Sequence, residues 1–98
     1  MKKDKFKTDV IFRNFKGEII ALFPYLIHNY NGDVTCYAHM GQHSSANYSD
    51  IISNSKPINN PKNLDLYKEL SSIGYNLKVV KKQNYNKYLN ELKNIRTY

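Results

Sequence analysis

The sequence predicts an α+β fold: a three- to four-stranded, mainly antiparallel sheet with helices packed on one face, in the order βββααβα. Three observations predict it. Residues 8–40 fall into three β-branched and aromatic segments of alternating polarity, broken at Lys16-Gly17 and Asn31-Gly32. Residues 61–73 and 85–95 instead repeat apolar side chains every three or four positions. A chain of 98 residues can bury one small core but not two, so a single domain is expected over 1–98.

Residues 1–7 read as a flexible basic arm in which Phe6 offers the one ring to bury. Thr8 to Phe15 forms the first strand, with Val10 and Phe12 alternating with Ile11 and Arg13. Glu18 to Tyr25 forms the second. Ile20 and Leu22 lie on one side of it and Ile19, Ala21 and Phe23 on the other, which marks it as central. Pro24 has no N–H to donate, so a bulge is expected there. Asn31-Gly32 suits a two-residue type I′ turn and predicts a hairpin to the third strand, Val34 to Met40. That strand sets Val34, Cys36, Ala38 and Met40 toward the core and Thr35, Tyr37 and His39 on the opposite face.

Gly41 ends the third strand, and a short helix follows over 48–52 with Asn47 or Ser49 as its cap. Asn60-Pro61 places a cap before a proline at the first helical position, and Gly74 stands where that helix ends. Its apolar positions are Leu64, Tyr67, Leu70 and Ile73. Tyr75 to Lys82 alternates as a fourth strand with Lys78 outward. Asn84 caps a last helix whose Tyr85, Tyr88, Leu89, Leu92 and Ile95 make one buried stripe.

The net charge of +7 is unevenly placed: +4 over residues 1–16, −2 over 17–74 and +5 over 75–98. Should the two ends fold side by side, they form one basic face suited to RNA, DNA, a ribonucleoprotein complex or an acidic protein surface. Arg13, Lys78, Lys81 and Lys82 are its candidate contacts. The competing interpretation is a lysine-rich solvated surface. Aromatic rings interleave with these lysines, but helical spacing assigns Tyr85 and Tyr88 to the core. The longest apolar run, Ile19 to Phe23, is far short of the ~20 residues of a membrane span. Cys36 has no second cysteine to pair with, which suits a cytoplasmic protein with no membrane partner.

Cys36, His39 and His43 have the spacing Cys-x2-His-x3-His, and thiolate and imidazole are the ligands zinc prefers. Strand alternation turns Cys36 and His39 to opposite faces, so no metal site is expected. A Cys36/His43 or Ser44/His39 nucleophile pair needs a positioned base, and the nearby acids, Asp33 and Asp50, are turn and cap residues by type. No catalytic residue and no cofactor is expected. Residues 41–48 are more readily a binding loop. Gln42, His43, Ser44, Ser45 and Asn47 supply donors and acceptors, and Tyr37, His39 and Tyr48 supply flat rings. The alternative is a tight structural connection.

Three stretches carry a resemblance: Val10 to Pro24 (VIFRNFKGEIIALFP), Tyr37-x-His39-x-Gly41-Gln42-His43-x-x-Ala46-x-Tyr48, and Leu66 to Leu70 followed by Gly74 to Val80. They resemble a group of small uncharacterised proteins encoded by bacteriophages, prophages and conjugative elements. The resemblance implies no activity and no catalytic residues. It implies a context in which small accessory proteins bind a host macromolecule, anti-CRISPR inhibitors being one such class. A chain of +7 cannot act as an acidic DNA mimic. The expected function is therefore non-enzymatic inhibition of a host defence nucleoprotein through its RNA or an acidic protein surface. The alternatives are an RNA- or DNA-binding accessory protein and a small hydrolase or metal-binding protein.

Overall fold

The computed structural model describes residues 6–38 and 42–96; His39, Met40, Gly41, the side chain of Gln42 and most of the expected basic arm lie outside the described residues. The chain is α+β. Its strands are β1 (Thr8–Phe15), β2 (Glu18–Ile27), β3 (Val34–Ala38), β4 (Gln42–Ala46), β5 (Ser55–Pro57) and β6 (Leu77–Val79). Its helices are α1 (Tyr48–Ser53), α2 (Asp65–Ser72) and α3 (Tyr85–Arg96), with a 3-10 turn at Pro61–Asn63.

The sheet is mixed and larger than the sequence predicts. Its spatial order is β4-β3-β2-β1-β5, and β6 also pairs with β1. The first four strands form an antiparallel meander. The outer edge of β1 is shared by two short strands: β6 lies parallel beside its start (Thr8↔Leu77, Val10↔Val79), and β5 lies antiparallel beside its end (Arg13↔Pro57, Phe15↔Ser55).

Helices cover both faces of the sheet, where the sequence predicts cover on one. Val10, Phe12, Ala21, Phe23 and Tyr37 point to the face on which Leu66 and Leu70 of α2 pack. Ile11, Ile20, Leu22, Val34 and Cys36 point to the other, against Tyr48, Ile51 and Ile52 of α1 and Tyr88 of α3. The physical reason lies in the strands themselves. Both alternation sets of β1 and β2 are apolar, and leaving either set in water forfeits about 25 cal/mol per Å² of apolar surface.

The turns differ from expectation in an instructive way. The left-handed pair that defines a type I′ turn occurs at Lys16 (φ 53°) and Gly17 (φ 89°), joining β1 to β2. At Asn31-Gly32 only the glycine has positive φ. There Asn29 Oδ1 accepts from the N–H groups of Asn31 and Asp33, and the His28 N–H donates to the Asp33 carbonyl, giving a longer loop. The β2–β3 register shifts between Phe23 and Ile27, which places the expected irregularity at Pro24.

Helix α2 begins after the expected position. Asn60 is itself left-handed (φ 52°) and makes no side-chain cap bond, and Leu64 is extended, so the chain makes a 3-10 turn before α2 starts at Asp65. Asn84 caps α3 as expected, its Oδ1 accepting from the Lys87 N–H at 3.1 Å. The buried side of α3 is narrower than the predicted stripe: Leu92 is buried, while Tyr85 is 65% exposed and Leu89 is exposed as well.

Candidate nucleic-acid interface

Of the expected loop 41–48, the described residues 42–48 do not make an open loop. Gln42 to Ala46 pair residue by residue with β3, so the predicted binding loop is largely an edge strand. Asn47 caps α1, its Oδ1 accepting from the Asp50 N–H at 3.1 Å. Asn47→Ala should lower stability by about 1 kcal/mol, read as a shift in urea midpoint, without disturbing a surface contact. Tyr48 packs against the core, and its hydroxyl accepts the Gln83 N–H at 2.8 Å.

Tyr37, a predicted ring contact, is 2% exposed. It lies on the face opposite Cys36, as strand parity requires, but that face is core as well. Its hydroxyl donates to the Glu69 carboxylate of α2. His43 packs edge-on to Tyr37 with ring centroids 4.8 Å apart, and its Nε2 lies 3.0 Å from the Tyr75 hydroxyl. Cys36 and His43 therefore sit on opposite faces of the sheet, and the nucleophile pair suggested by their spacing is not formed. Ser44 and Ser45 are exposed.

Two groups in this region have raised pKa values. Burial pushes the Cys36 thiol up to about 11, with the Glu18 charge adding to it. Tyr37 is raised above its usual value first by the hydrogen bond to Glu69, then by burial. A proton held longer in the folded chain than in the unfolded one stabilises the fold below the unfolded pKa, and that stability is lost as pH rises through the folded value. The unfolding free energy should therefore fall between about pH 9 and 11, followed by urea titration across that range. Cys36→Ala should flatten the fall and Tyr37→Phe should flatten it further.

The lysines tell a different story. The parallel β1–β6 pairing sets the basic C-terminal segment beside the start of β1, with Lys78 opposite Asp9. Val80 N–H donates to the Val10 carbonyl at 2.9 Å, and the chain then leaves the sheet through the exposed Lys81 and Lys82. The departing turn is fixed. Gln83 Nε2 donates to the Pro24 carbonyl, and the Asn84 N–H donates to the Tyr25 hydroxyl, both at 2.8 Å. Lys87 lies 4.2 Å from the centre of the Tyr25 ring and 3.9 Å from the Asp9 carboxylate. Tyr85, exposed and stacked with Tyr88 at 6.1 Å, follows directly on this turn.

At the other end of β1, Lys56 stands opposite Asn14. The positions of Lys78 and Lys56 are five steps apart along β1, about 17 Å, and the odd spacing turns the two lysines toward opposite faces of the sheet. Asn14, Lys16, Gly17, Ser53, Asn54, Ser55 and Lys56 line an open cleft of about 470 Å³ that has two lysines and no carboxylate. Arg13 plays a structural part here: Nε donates to Ser55 Oγ at 2.8 Å and Nη2 to the carbonyls of Ser55 and Ile52. It ties the end of α1 to β5, where a cation also meets the negative end of the helix.

The β1 edge thus carries Lys78, Lys81 and Lys82 at one end, followed by Tyr85, and at the other end Lys56 toward the opposite face beside Lys16 of the basic first segment. Lys56 sits in the net acidic middle of the chain, and only its pairing with β1 brings it here. Among the described residues no helix is long and apolar enough to cross a membrane. No family model, curated protein or solved structure matches this chain.

Proposed function

We propose that the chain is a non-enzymatic, cytoplasmic binding protein of a mobile genetic element that inhibits a host defence nucleoprotein, in the manner of anti-CRISPR proteins, by laying its basic edge on the RNA of that complex. The observation that carries this reading is the β1–β6 pairing, which joins two basic segments that are distant in sequence. Lys78, Lys81 and Lys82, exposed within one short run, match successive phosphates better than a single small anion. The mobile-element context comes from the resemblance in wording to phage and conjugative-element proteins.

A second reading, an accessory protein that binds free RNA or DNA with no protein target, is favoured by Tyr85. An exposed ring beside Lys81, Lys82 and Lys87 offers one base a stacking surface. Affinity capture of the tagged chain from its host cell separates the two. The first reading expects one ribonucleoprotein complex to be retained, and to be lost with Lys78→Glu, Lys81→Glu and Lys82→Glu combined. Nucleic acid retained without a defined complex favours the second. Identical capture by the parent and the triple variant contradicts both.

A further inference from the structure

β4 ends the sheet, and among the described residues no strand pairs with its outer edge. The backbone groups on that side point outward in a row, a ready template for another strand. Natural edges are usually blunted by lysine, proline, an inward charge or a bulge. Gln42–Ala46 has none of these: its sequence is QHSSA, and its register with β3 is unbroken over all five positions. His43, Ser44 and Ser45 are exposed. The opposite edge is built differently. β5 and β6 are three residues each and carry Lys56, Pro57 and Lys78.

We infer that β4 is a self-association edge, pairing antiparallel with β4 of a second copy about a two-fold axis at Ser44. A register centred on Ser44 pairs the whole strand. Gln42 meets Ala46, His43 meets Ser45, and Ser44 meets its own counterpart, so no lysine, arginine or carboxylate faces its like. The placement of charge selects this occupant. An acidic partner is drawn instead to the lysines of the opposite edge, and a partner that brings its cations directly against β4 is repelled by a chain of +7. A second copy meets β4 through an uncharged strand, with the two basic edges at the far ends of a sheet ten strands wide. At ~4.8 Å per strand they lie about 43 Å apart, well beyond the ~8 Å over which charges are felt at physiological salt. Five residues of strand bury less than the ~1,200 Å² of a tight interface, so the dimer is weak and depends on concentration.

Sedimentation equilibrium over a wide concentration range tests this on the full chain. The mean mass should rise from 11.5 kDa toward twice that value, and Ser44→Lys, which sets two ammonium groups on the axis, should hold it at the monomer. A second test does not depend on the strength of association. Directly opposed strand residues lie about 4.5–5.5 Å apart at Cα, within the span of a disulfide. Ser44→Cys should therefore cross-link two copies on mild oxidation. It is made in a Cys36→Ala background, because Cys36 faces Ser44 across β3 and β4. Ser72→Cys, exposed on α2, is the control. A monomeric mass at every concentration overturns the inference, as does cross-linking at Ser44→Cys no faster than at Ser72→Cys, or a Ser44→Lys chain that still dimerises.

Discussion

Phe23→Ala is expected to lower the unfolding free energy by about 3–5 kcal/mol, a large part of the ~5–15 kcal/mol that holds a domain of this size together. Phe23 has no exposed surface and stacks on Tyr75 with centroids 5.0 Å apart. Its ring links β2 at the centre of the sheet to the turn after α2, with His43 of the edge strand 6.4 Å away. Removing it leaves a cavity in the cluster it shares with Val10, Phe12, Tyr37 and Leu70. Urea unfolding followed by circular dichroism checks the value. Phe6→Ala, whose ring is 80% exposed, should stay within ~0.5 kcal/mol of the parent.

Gly32→Ala should cost about 2–4 kcal/mol, from left-handed backbone together with a steric clash. Gly32 has φ 91° and is buried against α3. A Cβ there would stand 2.4 Å from the Tyr88 hydroxyl, which donates to the Gly32 carbonyl at 2.7 Å. The methyl group must displace Tyr88 and with it the contact that fixes α3 to the β2–β3 loop, where Arg96 also donates to the Tyr30 carbonyl. Gly17→Ala is the matched comparison. Its φ is 89° but no atom lies within 4 Å of the added Cβ, so it should cost only the backbone share, about 1–2 kcal/mol. A difference near zero between the two thermal or urea midpoints would show that Tyr88 does not pack on Gly32.

Much of this architecture is written in local pattern. The alternation of β1, β2 and β3, the cap at Asn47, the cap at Asn84 and the irregularity at Pro24 are all legible because each follows from residue chemistry acting within a few positions. The two-sided cover was legible too, in the apolar residues on both sides of β2, but one-sided packing is the more economical guess when only three helices are in view. β4 was not legible. Gln-His-Ser-Ser-Ala has no β-branched or large apolar residue, and its strand conformation comes from pairing with β3, a non-local cause. The same holds for β5, three residues long and ending in proline.

Turn chemistry misled where two local solutions competed. Asn31-Gly32 is the stronger type I′ signal by composition, yet Asn29 and Asp33 flank it and fold the loop through side-chain-to-backbone bonds, leaving the type I′ geometry to Lys16-Gly17. The charge distribution marks Lys78, Lys81 and Lys82, and all three are exposed. Helical spacing assigns Tyr85 to the core, because periodicity alone cannot say how wide the buried face of α3 is. Arg13 was placed correctly on the strand, but its guanidinium is engaged by Ser55 and Ile52, a contact between residues some forty positions apart.

The most direct measurement of whether the joined basic edge binds phosphates is the salt dependence of affinity for a short single-stranded RNA. Each phosphate neutralised contributes a slope of about −0.7 to log K against log salt. The parent chain should show a slope of roughly −3 or steeper, and the Lys78→Glu, Lys81→Glu, Lys82→Glu variant should lose about 2 units of it. A slope near zero for the parent, or the same slope in both proteins, would contradict a basic edge assembled by the β1–β6 pairing.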